Sequence, residues 1–145
     1  ILEPETTHIS AAATIGLDTV LYPNVYLEGR TTIGEDCVIY PGCRIRNSHL
    51  GNRVTVLDGC LILNSEIANE CTLGPHAHLR PGTRLMRKVK VGHFVEANKS
   101  VIGRGSKVPH LTYVGDATLG DRPNVGASTI TSKFGRLGKQ PTIIE

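Results

Sequence analysis

The chain has 145 residues and a mass of 15.6 kDa, enough for one domain with a buried core and too little for two catalytic domains. Ile, Leu and Val account for 38 residues, charged residues for 20% and aromatics for 4%, with no Trp; this excludes a disordered chain and a Trp-anchored core. The net charge of +3 comes without a basic block or interleaved aromatics, which excludes a nucleic-acid groove, and no apolar run approaches the ~20 residues that cross a bilayer, so no membrane insertion and a cytoplasmic setting are expected.

From the start of the chain, large aliphatic residues recur every six positions, at Ile9, Ile15, Leu21, Leu27, Ile33, Ile39 and Ile45. A five-residue step shifts the register to Leu50, Val56 and Ile62, and a second to Ile67, Leu73, Leu79, Leu85, Val91 and the one small member, Ala97. Further short steps begin the runs Ile102, Val108, Val114 and Leu119, Val125. Two places before each stands a small residue, among them Thr31, Cys37, Cys43, Cys60, Cys71, Thr83, Ser100 and Thr112, with Pro123 the departure. Gly often follows the aliphatic residue, as at Gly74, Gly92 and Gly103, where a corner needs positive φ or close backbone approach.

An α-helix wants apolar residues three and four apart, and a hairpin meander wants alternation broken every eight to twelve residues. Neither template fits a period of six. Each hexad reads instead as a short strand and a corner, and three hexads as one triangular coil of about 18 residues. About seven coils, stacked at roughly 4.8 Å as parallel strands, make a prism about 34 Å long. The fold class is all-β, and the hexapeptide pattern resembles the left-handed parallel β-helix; the hand comes from that resemblance, because parallel crossovers are usually right-handed. Residues 1–129 are expected to form the β-helix. Residues 130–142, which break register with two Gly and three basic residues, are expected to protrude as a loop, and residues 143–145 to begin a further, truncated coil. The start at Ile1 rather than Met and the stop just after Ile143 and Ile144 read as a piece of something longer.

The four Cys all occupy the small inward position and read as buried hydrophobes in a reducing compartment, with Cys43 and Cys60 stacked neighbours that touch without a bridge. Among the outward residues, His110 in Pro109-His110-Leu111-Thr112-Tyr113 can take a proton near neutrality. His93 lies 17 residues earlier at the same place in its hexad and should stack on it. A metal site would need a third ligand, and His76 is out of phase by one position, so none is expected. Arg80 offers a cationic fork suited to phosphate, with Lys99, Lys107 and Lys139 as further point charges; each also reads as an ordinary solvated side chain.

Gly74-Pro75, His78-Leu79-Arg80-Pro81-Gly82, Val91-Gly92-His93-Phe94-Val95-Glu96, Gly103-Arg104-Gly105-Ser106-Lys107, His110-Leu111-Thr112-Tyr113-Val114-Gly115-Asp116-Ala117 and Asn124-Val125-Gly126-Ala127 together carry a resemblance. Essentially the whole chain resembles the C-terminal acetyltransferase domain of the bacterial bifunctional N-acetylglucosamine-1-phosphate uridyltransferase and glucosamine-1-phosphate N-acetyltransferase family. The resemblance implies a homotrimer with active sites between subunits, acetyl-CoA as acyl donor and glucosamine 1-phosphate as acceptor, in cell-wall precursor synthesis. It implies magnesium only for the absent uridyltransferase domain.

By position in these motifs, His110 is expected as general base, Arg80 at the sugar phosphate, Tyr113 and Asn124 at the sugar, and Lys139 as a charge from a neighbouring subunit. Ala127 is expected near the acetyl carbonyl. Departures accompany the match: Asn98 stands where a sugar-binding Lys is usual, Lys133 and Phe134 replace an Asn-Tyr pair on the acetyl-CoA side, His93 stands for Asn, and Arg122-Pro123 replaces Asn-Val. The resemblance also places later cofactor-contacting coils beyond Glu145, so impaired turnover is expected. A non-catalytic trimerising scaffold and a metal-dependent carbonic anhydrase of the same fold stay open at this stage.

Overall fold

The computed structural model describes residues 1–121 and three further strand segments, Phe134–Gly135, Gly138–Lys139 and Thr142–Ile144. The hexads become strands of two or three residues, distributed over three parallel sheets that form the walls of a left-handed β-helix of about seven turns. The first wall runs from His8–Ile9 through Tyr26–Glu28, Arg44–Arg46, Leu61–Leu63, His78–Leu79 and Glu96–Asn98 to Tyr113–Gly115. The second carries the strands from Thr14–Ile15 to Ala117–Leu119, and the third those from Val20–Leu21 to Lys107–Val108.

The strand register is the hexad register. Leu27, Ile45, Ile62, Leu79, Ala97 and Val114 stack in one column of the first wall. Leu21, Ile39, Val56, Leu73, Val91 and Val108 do the same in the third. All of these are buried and form one continuous core, so each aliphatic side chain loses its water to the one above and the one below. Successive coils satisfy each other's backbone, as in His78 N–H to Val95 O at 2.8 Å and Arg80 N–H to Ala97 O at 2.8 Å.

The small inward positions work by hydrogen bonding as well as by size. Thr31, Ser48, Ser65, Thr83, Ser100 and Ser106 are buried, and each hydroxyl donates to a nearby carbonyl, such as Thr83 Oγ1 to Arg80 O at 2.8 Å and Ser106 Oγ to Gly103 O at 2.6 Å. Buried polar groups satisfied in this way carry little penalty. The thiols follow the same rule, with Cys43 Sγ 3.1 Å from Leu57 O and Cys71 Sγ 3.0 Å from Met86 O. All four are free and buried, and Cys43 and Cys60 are interacting neighbours without a bridge, as the spacing implies.

Of the two reasons for Gly after the aliphatic residue, close approach prevails. A Cβ at Gly103 would run into the carbonyl of Gly120 in the next coil, and Gly103 does not have positive φ. Gly74, at φ +94°, is the exception; positive φ otherwise falls mostly on the residue just before the small inward position, including Asn64, His76, Phe94, Lys99 and Leu111. Among the described residues no helix is long and apolar enough to cross a membrane.

Leu119 pairs with Ile144, 25 residues on, where other coils close after 17 or 18. Inside that longer step Phe134–Gly135 pairs with Gly138–Lys139 as a two-stranded antiparallel unit.

Candidate active site

The corner that leads from the third wall into the first carries His93 and His110. In the upper coil the strand Lys107–Val108 ends, Pro109 and His110 turn outward, Leu111 takes φ +56°, and Thr112 points back into the core. One coil below, Val91, Gly92, His93, Phe94 with φ +56° and Val95 repeat the path. The small residue at Gly92 permits this stacking, because a Cβ there would lie 2.8 Å from the backbone nitrogen of His110. Positive φ at Phe94 and Leu111 repeats the corner geometry seen before small inward positions along the helix, such as at Asp18, Arg53 and Lys88.

Both imidazoles are exposed, with ring centroids 5.5 Å apart and planes 27° from parallel, the neighbour relation that the 17-residue spacing predicts. Phe94 lies 4.8 Å from His93 and 5.7 Å from His76, so His76 belongs to the column one residue along. Among the described residues no group of three or more His, Cys, Asp or Glu side chains is placed to hold a metal.

Beside this corner a groove of about 370 Å³ opens on the third wall, lined by Gly74, Gly92 and Pro109 together with Lys90 and Lys107. The two lysines face out from adjacent strands in register and give the groove a positive edge suited to an anion. Three of the four buried thiols are held protonated: the neighbouring Cys60 thiol and burial push Cys43 up, burial pushes Cys37 up, and burial takes Cys71 to about 11, whereas the Cys43 thiol beside it shifts Cys60 down.

The first wall gathers the other polar groups. Arg80 follows the strand His78–Leu79 and points its Nη1 to Glu96 Oε2 at 3.3 Å, with both side chains exposed. Glu96 is flanked in register by His78 on one side and Tyr113 on the other. Tyr113 lays its ring over Gly115, where a Cβ would come within 2.7 Å of the hydroxyl oxygen. Gly115 in turn pairs with Asn98. Arg80, Asn98 and Tyr113 therefore share one wall, and His110 lies three residues before Tyr113 at the corner leading into it.

Asn124, Ala127 and Lys133 lie outside the described residues. Phe134 and Lys139 are described in their backbone alone, where they pair with each other across the antiparallel unit. The sequence reading does not single out Glu96 or Lys90. Each has a usable signal in the register, since Lys90 precedes Lys107 by one coil and Glu96 aligns with His78 and Tyr113 when coils are stacked.

Comparison with known proteins places these features in context. A family described as GMPPB C-terminal domain matches residues 4–93. The chain is 48% identical over all 145 of its residues to the bifunctional protein GlmU of Carboxydothermus hydrogenoformans, of which it covers 32%. It is 53% identical over 144 residues to that of Pelotomaculum thermopropionicum, covering 99% of this chain and 31% of that protein. The chain thus spans about a third of the length of these curated relatives. Among solved structures it is similar to the UDP-N-acetylglucosamine acyltransferase of Campylobacter jejuni, at 17% identity and a TM-score of 0.35, with 84% of this chain and 66% of that one covered. It is also similar to the acetyltransferase domain of PglB from Neisseria gonorrhoeae in complex with acetyl coenzyme A, at 20% identity and a TM-score of 0.27, covering 86% and 51%.

Proposed function

The chain belongs to the GMPPB C-terminal domain family and along its whole length resembles bifunctional GlmU proteins, and from that premise we propose that it is a CoA-dependent acetyltransferase domain acting on glucosamine 1-phosphate. The observation that carries the reading is His110: an exposed imidazole seated on a second imidazole, at the edge of a groove flanked by two lysines and next to the wall that bears Arg80, Asn98 and Tyr113.

In this reading a ring nitrogen of His110 removes a proton from the sugar amine as its lone pair forms the new bond to the thioester carbonyl carbon. The carbon–sulfur bond then breaks, the electron pair leaves on the CoA sulfur, and the proton passes from His110 to that thiolate. Arg80 holds the sugar phosphate, Tyr113 and Asn98 border the sugar, and Asn124 adds a further contact to it. Ala127, Lys133 and Phe134 are assigned to the acetyl-CoA side, with the Ala127 backbone near the carbonyl oxygen. The reading includes a homotrimer in which Lys139 reaches a neighbouring subunit's site.

The test is release of free CoA thiol from acetyl-CoA and glucosamine 1-phosphate, with a full-length GlmU relative as positive control. His110→Ala is expected to lower kcat at least a hundredfold without altering the assembled mass. Rates like those of the unmodified chain in that variant would overturn the assignment.

A further inference from the structure

His78 lies on the first wall between Leu61 and Glu96 in register. The residue is half-buried, and its Nε2 is shielded from solvent with no hydrogen-bond partner among the described residues. A ring nitrogen buried in this way is costly, so it points to a bond formed in another state of the site.

The neighbouring groups identify that bond. Glu96 currently shares its carboxylate with Arg80 at 3.3 Å. If a phosphoryl group takes the Arg80 guanidinium, as the functional reading above requires, the Glu96 carboxylate loses its cation and is left beside a second anion. The residue beside it in strand register, with a ring nitrogen unused among the described residues, is His78. We infer that His78 is a positioning residue: when a phosphate group occupies Arg80, His78 donates its Nε2–H to the Glu96 carboxylate and keeps it from competing for the guanidinium. The neutral tautomer with its proton on Nε2 suffices, so no net proton uptake is needed.

Calorimetric titration of inorganic phosphate and of glucosamine 1-phosphate onto the whole chain tests this. His78→Phe keeps the ring volume and removes the donor, and is expected to weaken both ligands about tenfold. His78→Gln restores a donor and is expected to bring affinity back to within about threefold. In a Glu96→Gln background the carboxylate is absent, and His78→Phe is expected to change affinity less than about twofold. Unchanged phosphate affinity in His78→Phe, or an equal loss with and without Glu96, overturns the inference. So does retention of phosphate binding in Arg80→Ala, which would put the anion elsewhere. If glucosamine 1-phosphate binds no better than phosphate and no thiol is released, the substrate reading fails while the phosphate cycle still decides the role of His78.

Discussion

Arg80 and Glu96, sixteen residues apart in the chain, meet across one coil boundary with Nη1 3.3 Å from Oε2. Both side chains are nearly half exposed, at 45% and 41%, so water and salt screen the pair and its worth to folding is about 0–1 kcal/mol. Its consequence lies in ligand binding, because the carboxylate occupies the cation that the functional reading assigns to a phosphate. Glu96→Gln is therefore expected to leave the thermal midpoint within about 2 °C and to tighten inorganic phosphate binding about three- to tenfold at low salt, with the gain shrinking as salt rises. Titrations at two ionic strengths check it, and weaker binding in the variant would contradict it.

Gly92 sets the path of the backbone that carries His110. A Cβ at Gly92 would lie 2.8 Å from His110 N and 3.0 Å from Pro109 C, and both neighbours are backbone that cannot swing aside. Gly92→Ala is expected to displace the imidazole by a few tenths of an ångström and to lower kcat at least about tenfold in the thiol-release assay, since small misplacements of reacting groups are costly. A kcat equal to that of the unmodified chain would show that the corner accommodates the methyl group without moving His110.

Leu79 is fully buried, with Ile62 stacked on one side and the small Ala97 on the other. Leu79→Ala would leave a void between two coils that are pinned by backbone hydrogen bonds and cannot collapse, and is expected to cost about 2–5 kcal/mol in denaturant unfolding. Leu111→Ala, at a position 53% exposed, is expected to cost less than about 1 kcal/mol. Equal losses in the two variants would be inconsistent with the stacked core.

Cys71 supplies a pH dependence of known sign. Burial raises its thiol from 9.0 to about 11, so the folded state keeps a proton that the unfolded chain releases first. Stability from this group is complete below pH 9 and is lost as pH rises from 9 to 11, by about 3 kcal/mol over that window. Cys37 is raised as well and acts in the same direction, whereas the neighbours Cys43 and Cys60 are shifted in opposite directions. Cys71→Ala is expected to give a shallower decline of unfolding free energy between pH 9 and 11, measured by urea denaturation at several pH values. Identical slopes for the two chains would refute the assignment.

A period of six, with large and small inward residues at fixed places, was enough to determine the walls, the coil count and the column each aliphatic residue joins. It could do so because in a solenoid every strand pairs with the strand one turn away, so position along the chain translates directly into height. The same counting put His93 against His110 and Cys43 against Cys60.

Only the tertiary structure decided what the outward side chains do at those heights. The turn of Arg80 toward Glu96, the ring of Tyr113 lying over Gly115 and the Nε2 of His78, unpartnered among the described residues, are choices of rotamer, which the hexad leaves free because those atoms do not pack in the core. The glycine corners belong to the same class: close approach at Gly92 and Gly103, with positive φ falling on residues such as Phe94 and Leu111, depends on the path of the next coil. Periodicity follows from burial and was legible; the polar geometry of the wall follows from long-range contacts between coils and required the structure.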